Sequence, residues 1–439
     1  IKGAPELILE RCTSILTHQG IEKLTWHQKK KIVSVMENFA KNGLRVLGFA
    51  FKEIPQEVSE FKEDEVENNL IFVGLMAMID PPREEVYDAV KIAQQAGINV
   101  VMITGDHELT ALAVAKDIGI YSDGDLSLTG RDLDEMEEEE FNNIVEKVKV
   151  YARISPQHKL KIVTALQEKG HIVAVTGDGV NDAPALKKAD IGIAMGITGT
   201  DVTKEASDMV LADDNFATIV KAVEWGRIIY DNIRKFIRFL LACNFAELML
   251  IAIPAILAWP VPLLPAMILW INLVTDGAPA VALGVDAPDE DVMKRPPRDP
   301  RRGVLHGMAV FILVSSVVMT VIGLIIYYYQ LAVLGASLDK ARTCVFMFMA
   351  LYELLIVWNS RSEIKNAFRF GLKGNVALLV SVILSLIVTL SLAYIPEVAQ
   401  AFHLVPPGLN DWLIILIGAS AGLFIWPEFF MNKKLWKIE

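Results

Sequence analysis

Hydrophobic and polar positions divide this 439-residue chain into two unlike stretches. Up to about residue 235, short apolar runs alternate with helix-spaced segments and charged loops. Six long apolar runs follow, at about 236–259, 263–284, 304–331, 341–359, 374–395 and 411–430. Each approaches or exceeds the roughly 20 residues a helix needs to cross a bilayer core. Only a very large soluble protein could hide six such runs in succession, so the pattern predicts an α-helical membrane domain of six transmembrane helices. The stretch at 215–235 is charged but helical in spacing and runs straight into the first span, which predicts a stalk helix.

Within the first stretch, residues 79–212 repeat a strand-then-helix pattern. Val100–Ile103 is an apolar strand entering Thr104-Gly105-Asp106, with His107–Ile118 following at helical spacing. Ile172–Val175 enters Thr176-Gly177-Asp178-Gly179-Val180-Asn181-Asp182, followed by a helix over Ala183–Lys188. Ile191–Ala194 and Met209–Leu211 add buried strands. Such alternation predicts an α/β domain with a doubly wound parallel sheet. In that fold the site lies at the carboxyl ends of the strands, where both Thr-Gly-Asp turns fall.

Composition sharpens this division. Hydrophobic residues make up 53% of the chain, too many for one water-soluble domain, yet 22% are charged, too many for a purely membranous one. The 42 Lys and Arg against 53 Asp and Glu leave a net charge of −11, which argues against nucleic acid as a partner. Cys12, Cys243 and Cys344 are unclustered, giving neither a disulfide framework nor a zinc spacing. The chain starts at Ile1 with no signal-peptide pattern and so reads as part of something longer. Basic residues gather in alternate loops. Lys294, Arg295, Arg298, Arg301 and Arg302 follow the second run, and Arg361, Lys365, Arg369 and Lys373 follow the fourth. Lys433, Lys434 and Lys437 lie in the tail, while the opposite loops are nearly bare. The positive-inside rule then places the first stretch, these loops and the C-terminus in the cytoplasm.

The Gly177–Asp182 turn suits phosphate chemistry. Its glycines let the backbone approach an anion, the following helix start offers N–H donors, and Asp178 and Asp182 can hold Mg²⁺. Thr104 offers a hydroxyl and Gly105 an amide to a phosphoryl oxygen, and Lys159 a neutralising charge. A lone Gly-Asp-Gly turn is more often a surface loop; two such turns in one sheet with a lysine are harder to dismiss.

Met102-Ile-Thr-Gly-Asp-His107, Ala152-Arg-Ile-Ser-Pro-Gln-His-Lys159 and Thr176-Gly-Asp-Gly-Val-Asn-Asp-Ala-Pro-Ala-Leu186 together resemble the P-type ATPases. These are cation pumps with a haloacid-dehalogenase-like phosphorylation domain. Ile1-Lys-Gly-Ala-Pro-Glu6 resembles their nucleotide-domain motif and Asp80-Pro-Pro-Arg83 their hinge. The resemblance implies part of an α+β nucleotide-binding domain over 1–78, the phosphorylation domain over 79–214, the stalk over 215–235, the membrane domain over 236–430 and a cytoplasmic tail over 431–439. It further implies that Lys2 and Arg45 contact ATP, with Asp106 and Arg153 near the nucleotide. Thr104, Gly105, Lys159 and Asn181 would hold the transferred phosphoryl group. Asp178 would ligate Mg²⁺ with support from Asp182. The family's phosphorylated Asp-Lys-Thr-Gly-Thr and its Thr-Gly-Glu loop do not occur in this sequence. The chain is therefore expected to be the C-terminal half of such a pump, inactive without its N-terminal half.

Polar groups inside the spans are costly and usually functional. Asn244 and Glu247 are three apart on one helix face, and Asn272, Thr275 and Asp276 are spaced to converge. Gly277 and Pro279 should loosen that second helix and free carbonyl oxygens, and Glu353 sits within the fourth span. The set is all oxygen, with neither His nor thiolate converging, which suits Ca²⁺. Asn244 or Thr275 alone could be helix–helix contacts, Phe346–Met349 read as packing, and the acidic run from Asp132 to Glu140 as a solvated face. Asn244-Phe-Ala-Glu247, Asn272-Leu-Val-Thr-Asp276 and Glu353 resemble the calcium-site residues of type IIA calcium pumps of the sarco/endoplasmic-reticulum kind. Secretory-pathway and plasma-membrane types typically lack the acid at Glu247, and sodium/potassium pumps carry Asp at position 272. One of two calcium sites would be mostly present.

The expected activity is ATP-driven Ca²⁺ export, with ATP as substrate, Mg²⁺ as cofactor and the lipid bilayer as surroundings, in a prokaryotic plasma membrane. The competing readings are a pump for Mn²⁺ or Na⁺, a membrane-anchored haloacid-dehalogenase-like phosphatase, and a non-enzymatic ion-binding membrane protein.

Overall fold

A computed structural model describes residues 1–41, 43–54, 66–78, 81–371 and 374–430. Asp80 of the expected hinge, Lys373, and the tail at 431–439 with Lys433, Lys434 and Lys437 lie outside the described residues. The chain forms two compact units, one over Ile1–Lys221 and the other from Ala222 onward.

The first unit begins with strands β1 (Lys2–Gly3), β2 (Cys12–Thr17), β3 (Gly20–Lys23), β4 (Arg45–Phe51) and β5 (Leu70–Met78). They form one sheet in the order β1-β4-β5-β2-β3, parallel only between β2 and β5. Ile8, Leu9, Cys12, Leu24, Ala50, Leu70 and Phe72 form its buried core. A mixed sheet packed with helices is an α+β arrangement, as expected.

The parallel strands that follow differ from expectation. Strands β6 (Met102–Ile103), β7 (Leu126–Thr129) and β8 (Val148–Ala152) pair in the order β6-β8-β7. Strands β9 (Ala174–Gly177), β10 (Ile191–Met195) and β11 (Met209–Leu211) pair in the order β11-β10-β9. Every pairing in both sheets is parallel. Among the described residues these are two three-stranded sheets, not the single expected one, because no strand pairs with both β6 and β9. Those two edge strands are the ones that end in the Thr-Gly-Asp turns. The central strand β8 escaped notice because Lys149 interrupts its short apolar run. Yet Val148, Val150, Tyr151 and Ala152 are all buried.

The expected stalk and first span prove to be one helix, Phe216–Ile256, of 41 residues, all but its first six in the second unit. At 1.5 Å per residue it is about 60 Å long. The second span, Pro265–Leu283, is π-helical over Ile271–Asp276. Ala309–Val333, Leu338–Asn359 and Val376–Tyr394 follow, making five helices long and apolar enough to cross a bilayer. The sixth run is not one helix. Leu409–Phe424 stops after 16 residues and Pro427–Phe430 restarts it. Pro427 has no N–H to continue the ladder. Sixteen residues reach only about 24 Å against a core of about 30 Å. Phe346–Met349 are fully buried in one continuous core with Phe239, Leu250 and Ile415, which fits their reading as packing residues.

Candidate functional site

The phosphate-binding candidates sit on the carboxyl ends of β6, β8 and β9. Thr104 follows β6, its backbone N–H donating to Tyr151 O at 2.9 Å while its carbonyl accepts from Ile154 N at 3.0 Å. Asp106 N donates to Thr104 Oγ1 at 3.1 Å, and Arg153 N donates to Asp106 O at 3.0 Å. The Thr104–Asp106 turn is thus tied to the turn after β8. A Cβ placed on Gly105 would meet nothing within 4 Å, so its backbone is open to an incoming group.

Lys159 comes from the helix Pro156–Glu168, whose start is fixed by a capping box between Ser155 and His158. Its Nζ lies 2.5 Å from Asp182 Oδ1. Asp182 Oδ2 accepts from the backbone N–H groups of Asp178 and Gly179, both at 3.2 Å. Asp182 is buried and both its oxygens are engaged, so it shapes the turn, whereas Asp178 and Asn181 are exposed. Gly177 is required here, because a Cβ would come 2.4 Å from Asp182 Cβ. The lysine–aspartate pair links the helix after β8 to the turn after β9.

Lys2 on β1 and Arg45 at the start of β4 are both exposed. Lys2 is paired with Phe49, so Arg45, four residues back along β4, presents its side chain on the same face of the sheet. Arg153 takes φ of +53° and its guanidinium lies 3.2 Å from Glu6 of the Ile1–Glu6 motif. The sequence reading missed Asp214, at φ +48°, whose carboxylate accepts from Ile197 N at 3.0 Å and Thr198 N at 2.8 Å. Those backbone donors, led by Ile197, hold its carboxyl down at about 2.

In the helical unit, Glu247, Asp276 and Glu353 are buried, the last two completely. Asn272 Nδ2 donates to Glu247 Oε2 at 2.8 Å and to Ile268 O at 3.0 Å. The Thr275 hydroxyl lies 2.7 Å from Glu353 Oε2 and 3.0 Å from Ile271 O. The loosening expected from Gly277 and Pro279 takes the form of the π-helical turn. Asn244 stands apart: it is exposed, and its amide donates to Leu240 O of its own helix at 2.8 Å. Glu247 Oε1, both oxygens of Asp276 and Glu353 Oε1 meet no hydrogen-bond partner.

One expectation is corrected. Sulfur does converge on this set: Cys243 Sγ and carboxylate oxygens of Asp276 and Glu353 all lie within 4.8 Å of one another, and all three residues are buried. The signal was present in the sequence, since Cys243 precedes Glu247 by four residues and so shares its helix face.

A buried ionic knot was also missed. Asp286, just after the second span, accepts from Lys235 Nζ at 3.1 Å, Arg361 Nη2 at 2.9 Å and Asn375 Nδ2 at 3.0 Å. Arg361, counted above among the basic residues of the loop after the fourth run, is completely buried. A lone Asp in a loop and a lone Arg 75 positions later carry no local spacing that could reveal the pair.

Comparison with known proteins places the chain in a family. Residues 1–85 match the model for the P-type ATPase cytoplasmic domain N, and residues 260–432 match that for the cation transporting ATPase C-terminus. The chain is 45% identical over 424 residues to the calcium-transporting ATPase of Bacillus subtilis, covering 96% of this chain and 47% of that protein. It is 43% identical over 431 residues to calcium-transporting ATPase 1 of Bacillus cereus, covering 95% and 48%. Against the mouse calcium-transporting ATPase type 2C member 1 it is 38% identical over 430 residues, covering 98% and 45%. The chain spans about half the length of the curated relatives it matches. The five apolar helices make it a multi-pass membrane protein, and on the two family matches and these identities the chain belongs to the P-type cation-transporting ATPases.

Proposed function

We propose that this chain is the C-terminal half of an ATP-driven pump that exports Ca²⁺ by way of an aspartyl-phosphate, with the phosphorylated aspartate on a half not included in these 439 residues. The observation that carries the reading is the buried group Glu247, Asp276 and Glu353 beside a π-helical turn, with four carboxylate oxygens lacking a partner. Uncompensated carboxylates in a low-dielectric interior are strongly unfavourable. A divalent cation held by hard oxygen donors of flexible geometry compensates them, which favours Ca²⁺. A membrane anchor for a phosphatase would leave these groups without a purpose.

At the cytoplasmic turns, the Thr104 hydroxyl, the open Gly105 backbone, Lys159 and Asn181 would hold the phosphoryl group. Lys2 and Arg45 share one sheet face suited to ATP, and the Arg153–Glu6 contact draws two motifs of the same unit together. Mg²⁺ would be held by the exposed Asp178, an oxygen donor suited to it, while Asp182 keeps the turn in shape; when bound, the ion neutralises phosphate charge. The proposed domain division is nucleotide-binding to residue 78, haloacid-dehalogenase-like from 79 to 214, stalk to 235 and membrane domain beyond. In this reading the short Leu409–Phe424 helix completes six membrane helices in a prokaryotic plasma membrane, with the cytoplasmic domains inside. The half alone would bind ions but turn over no ATP.

The test is ⁴⁵Ca²⁺ binding by the purified chain, and ATP-driven ⁴⁵Ca²⁺ uptake into vesicles by the completed pump. Glu247→Gln and Asp276→Asn should each abolish both. Uptake that survives both changes would overturn the reading, and competition by Mn²⁺ or Na⁺ at equal or better affinity would reassign the ion.

A further inference from the structure

We propose that Cys243 is a sulfur ligand of the intramembrane cation site, and that the site therefore also takes thiophilic divalent cations, Cd²⁺ foremost, in competition with Ca²⁺. The inference rests on the reading of Glu247, Asp276 and Glu353 as a cation site and adds a donor to it.

Three observations carry it. First, Cys243 Sγ and carboxylate oxygens of Asp276 and Glu353 lie within 4.8 Å of one another. Ligands 2.3–2.6 Å from a single ion are separated by at most about 5 Å, so the three atoms can share one cation. Second, both oxygens of Asp276 and one of Glu353 are buried without a hydrogen-bond partner. Third, the arrangement is confined to one of the three cysteines: Cys12 lies on β2 in the first unit, and Cys344 lies nine residues before Glu353, outside the cluster.

The chemistry differs between ions. Ca²⁺ prefers oxygen and gains little from sulfur, so it would bind mainly through the carboxylates, Asn272 and Thr275. Soft thiolate ligands select thiophilic metals. For these, coordination replaces the S–H bond of Cys243 with an S–metal bond and releases one proton to solvent. Without the sulfur, the remaining donors are all oxygen and that selectivity should vanish.

The experiment uses the full 439-residue chain in lipid nanodiscs, carrying Cys12→Ser and Cys344→Ser so that Cys243 is the sole thiol. Titration with Cd²⁺ is followed by the ultraviolet thiolate-to-metal absorption, and ⁴⁵Ca²⁺ binding is measured in parallel. The expected result is one Cd²⁺ per chain with the thiolate band, reversed by excess Ca²⁺. Adding Cys243→Ser should remove the band and weaken Cd²⁺ about tenfold or more, while ⁴⁵Ca²⁺ binding changes less than threefold. Glu353→Gln should weaken both ions. Normal ⁴⁵Ca²⁺ binding with no thiolate band, or a band that excess Ca²⁺ cannot displace, would overturn the proposal. A thiolate band with no ⁴⁵Ca²⁺ binding would instead keep the sulfur ligand and remove the calcium reading.

Discussion

Replacing Asp286 by Ala should be among the most destabilising single changes in the helical unit. Its carboxylate lies against two cations that are themselves buried: Lys235 is 4% exposed and Arg361 0%. Lys235 Nζ stands at 3.1 Å, Arg361 Nη2 and Nε at 2.9 and 3.2 Å, and Asn375 Nδ2 at 3.0 Å. Removing this carboxylate takes from two buried cations the anion they share, although Arg361 Nη1 keeps its bond to Gly371 O at 3.1 Å. Breaking a buried pair from one side costs about 3–5 kcal/mol, and here two cations lose the same partner, so the upper half of that range applies. For a unit of this size each kcal/mol moves Tm by about 2–4 °C. The variant should therefore melt roughly 8–20 °C lower. Thermal unfolding of the purified chain in detergent, followed by circular dichroism, reads this directly. Pairing Asp286→Ala with Arg361→Met removes one of the stranded charges and should recover at least about 1 kcal/mol of the loss, a coupling that a double-mutant cycle isolates. A drop in Tm below 3 °C for Asp286→Ala, or simple additivity of the two changes, would refute the reasoning.

Two further predictions concern the first unit. Gly177→Ala should destabilise it by about 1–3 kcal/mol through the clash with Asp182, whereas Gly179→Ala, whose Cβ would meet nothing nearer than 3.8 Å, should change it far less; equal denaturation midpoints for the two would remove the steric account. The Asp214 carboxyl is held at about 2 by the N–H groups of Ile197 and Thr198, against an ordinary value of about 3.9. A depressed carboxyl contributes stability that is complete above the ordinary value and lost as pH falls toward 2. Hydrogen exchange of the 196–200 loop should therefore show protection fading between about pH 4 and 2, and Asp214→Asn should abolish that pH dependence; an unchanged profile in the variant would count against it.

What the sequence made legible follows physical range. Five of the six expected spans were readable because hydropathy and helical spacing are local, and Glu247, Asn272, Thr275, Asp276 and Glu353 stood out as polar groups in apolar surroundings. The Thr-Gly-Asp turns were readable because glycine and carboxylate are placed by the turn itself. Strand β8 was lost because Lys149 breaks a run that is otherwise buried, leaving neither a continuous apolar stretch nor a clean alternation. Cys243 was lost for a different reason: sulfur reads as apolar, so a donor in a span looks like core. Asp286 and Arg361 were invisible because their pairing is created only when distant segments pack.

The π-helical turn at Ile271–Asp276 explains why the buried polar residues around it and their supports occur together. A membrane helix that departs from the regular ladder must satisfy the disturbed backbone groups locally, because lipid offers no donors. Here Asn272 Nδ2 donates to Ile268 O, the Thr275 hydroxyl lies against Ile271 O, and Ser385 Oγ donates to Val274 O at 2.8 Å. Two of those three supports, Asn272 and Thr275, also touch Glu247 and Glu353. The far end of the same span is pinned by Asn375 Nδ2, which donates to Ala282 O at 2.9 Å as well as to Asp286. Backbone irregularity and carboxylate placement are therefore one problem with one solution. Changing a supporting side chain alters both the turn and the carboxylates beside it, so the proposed binding residues of this span cannot be separated from its structural ones.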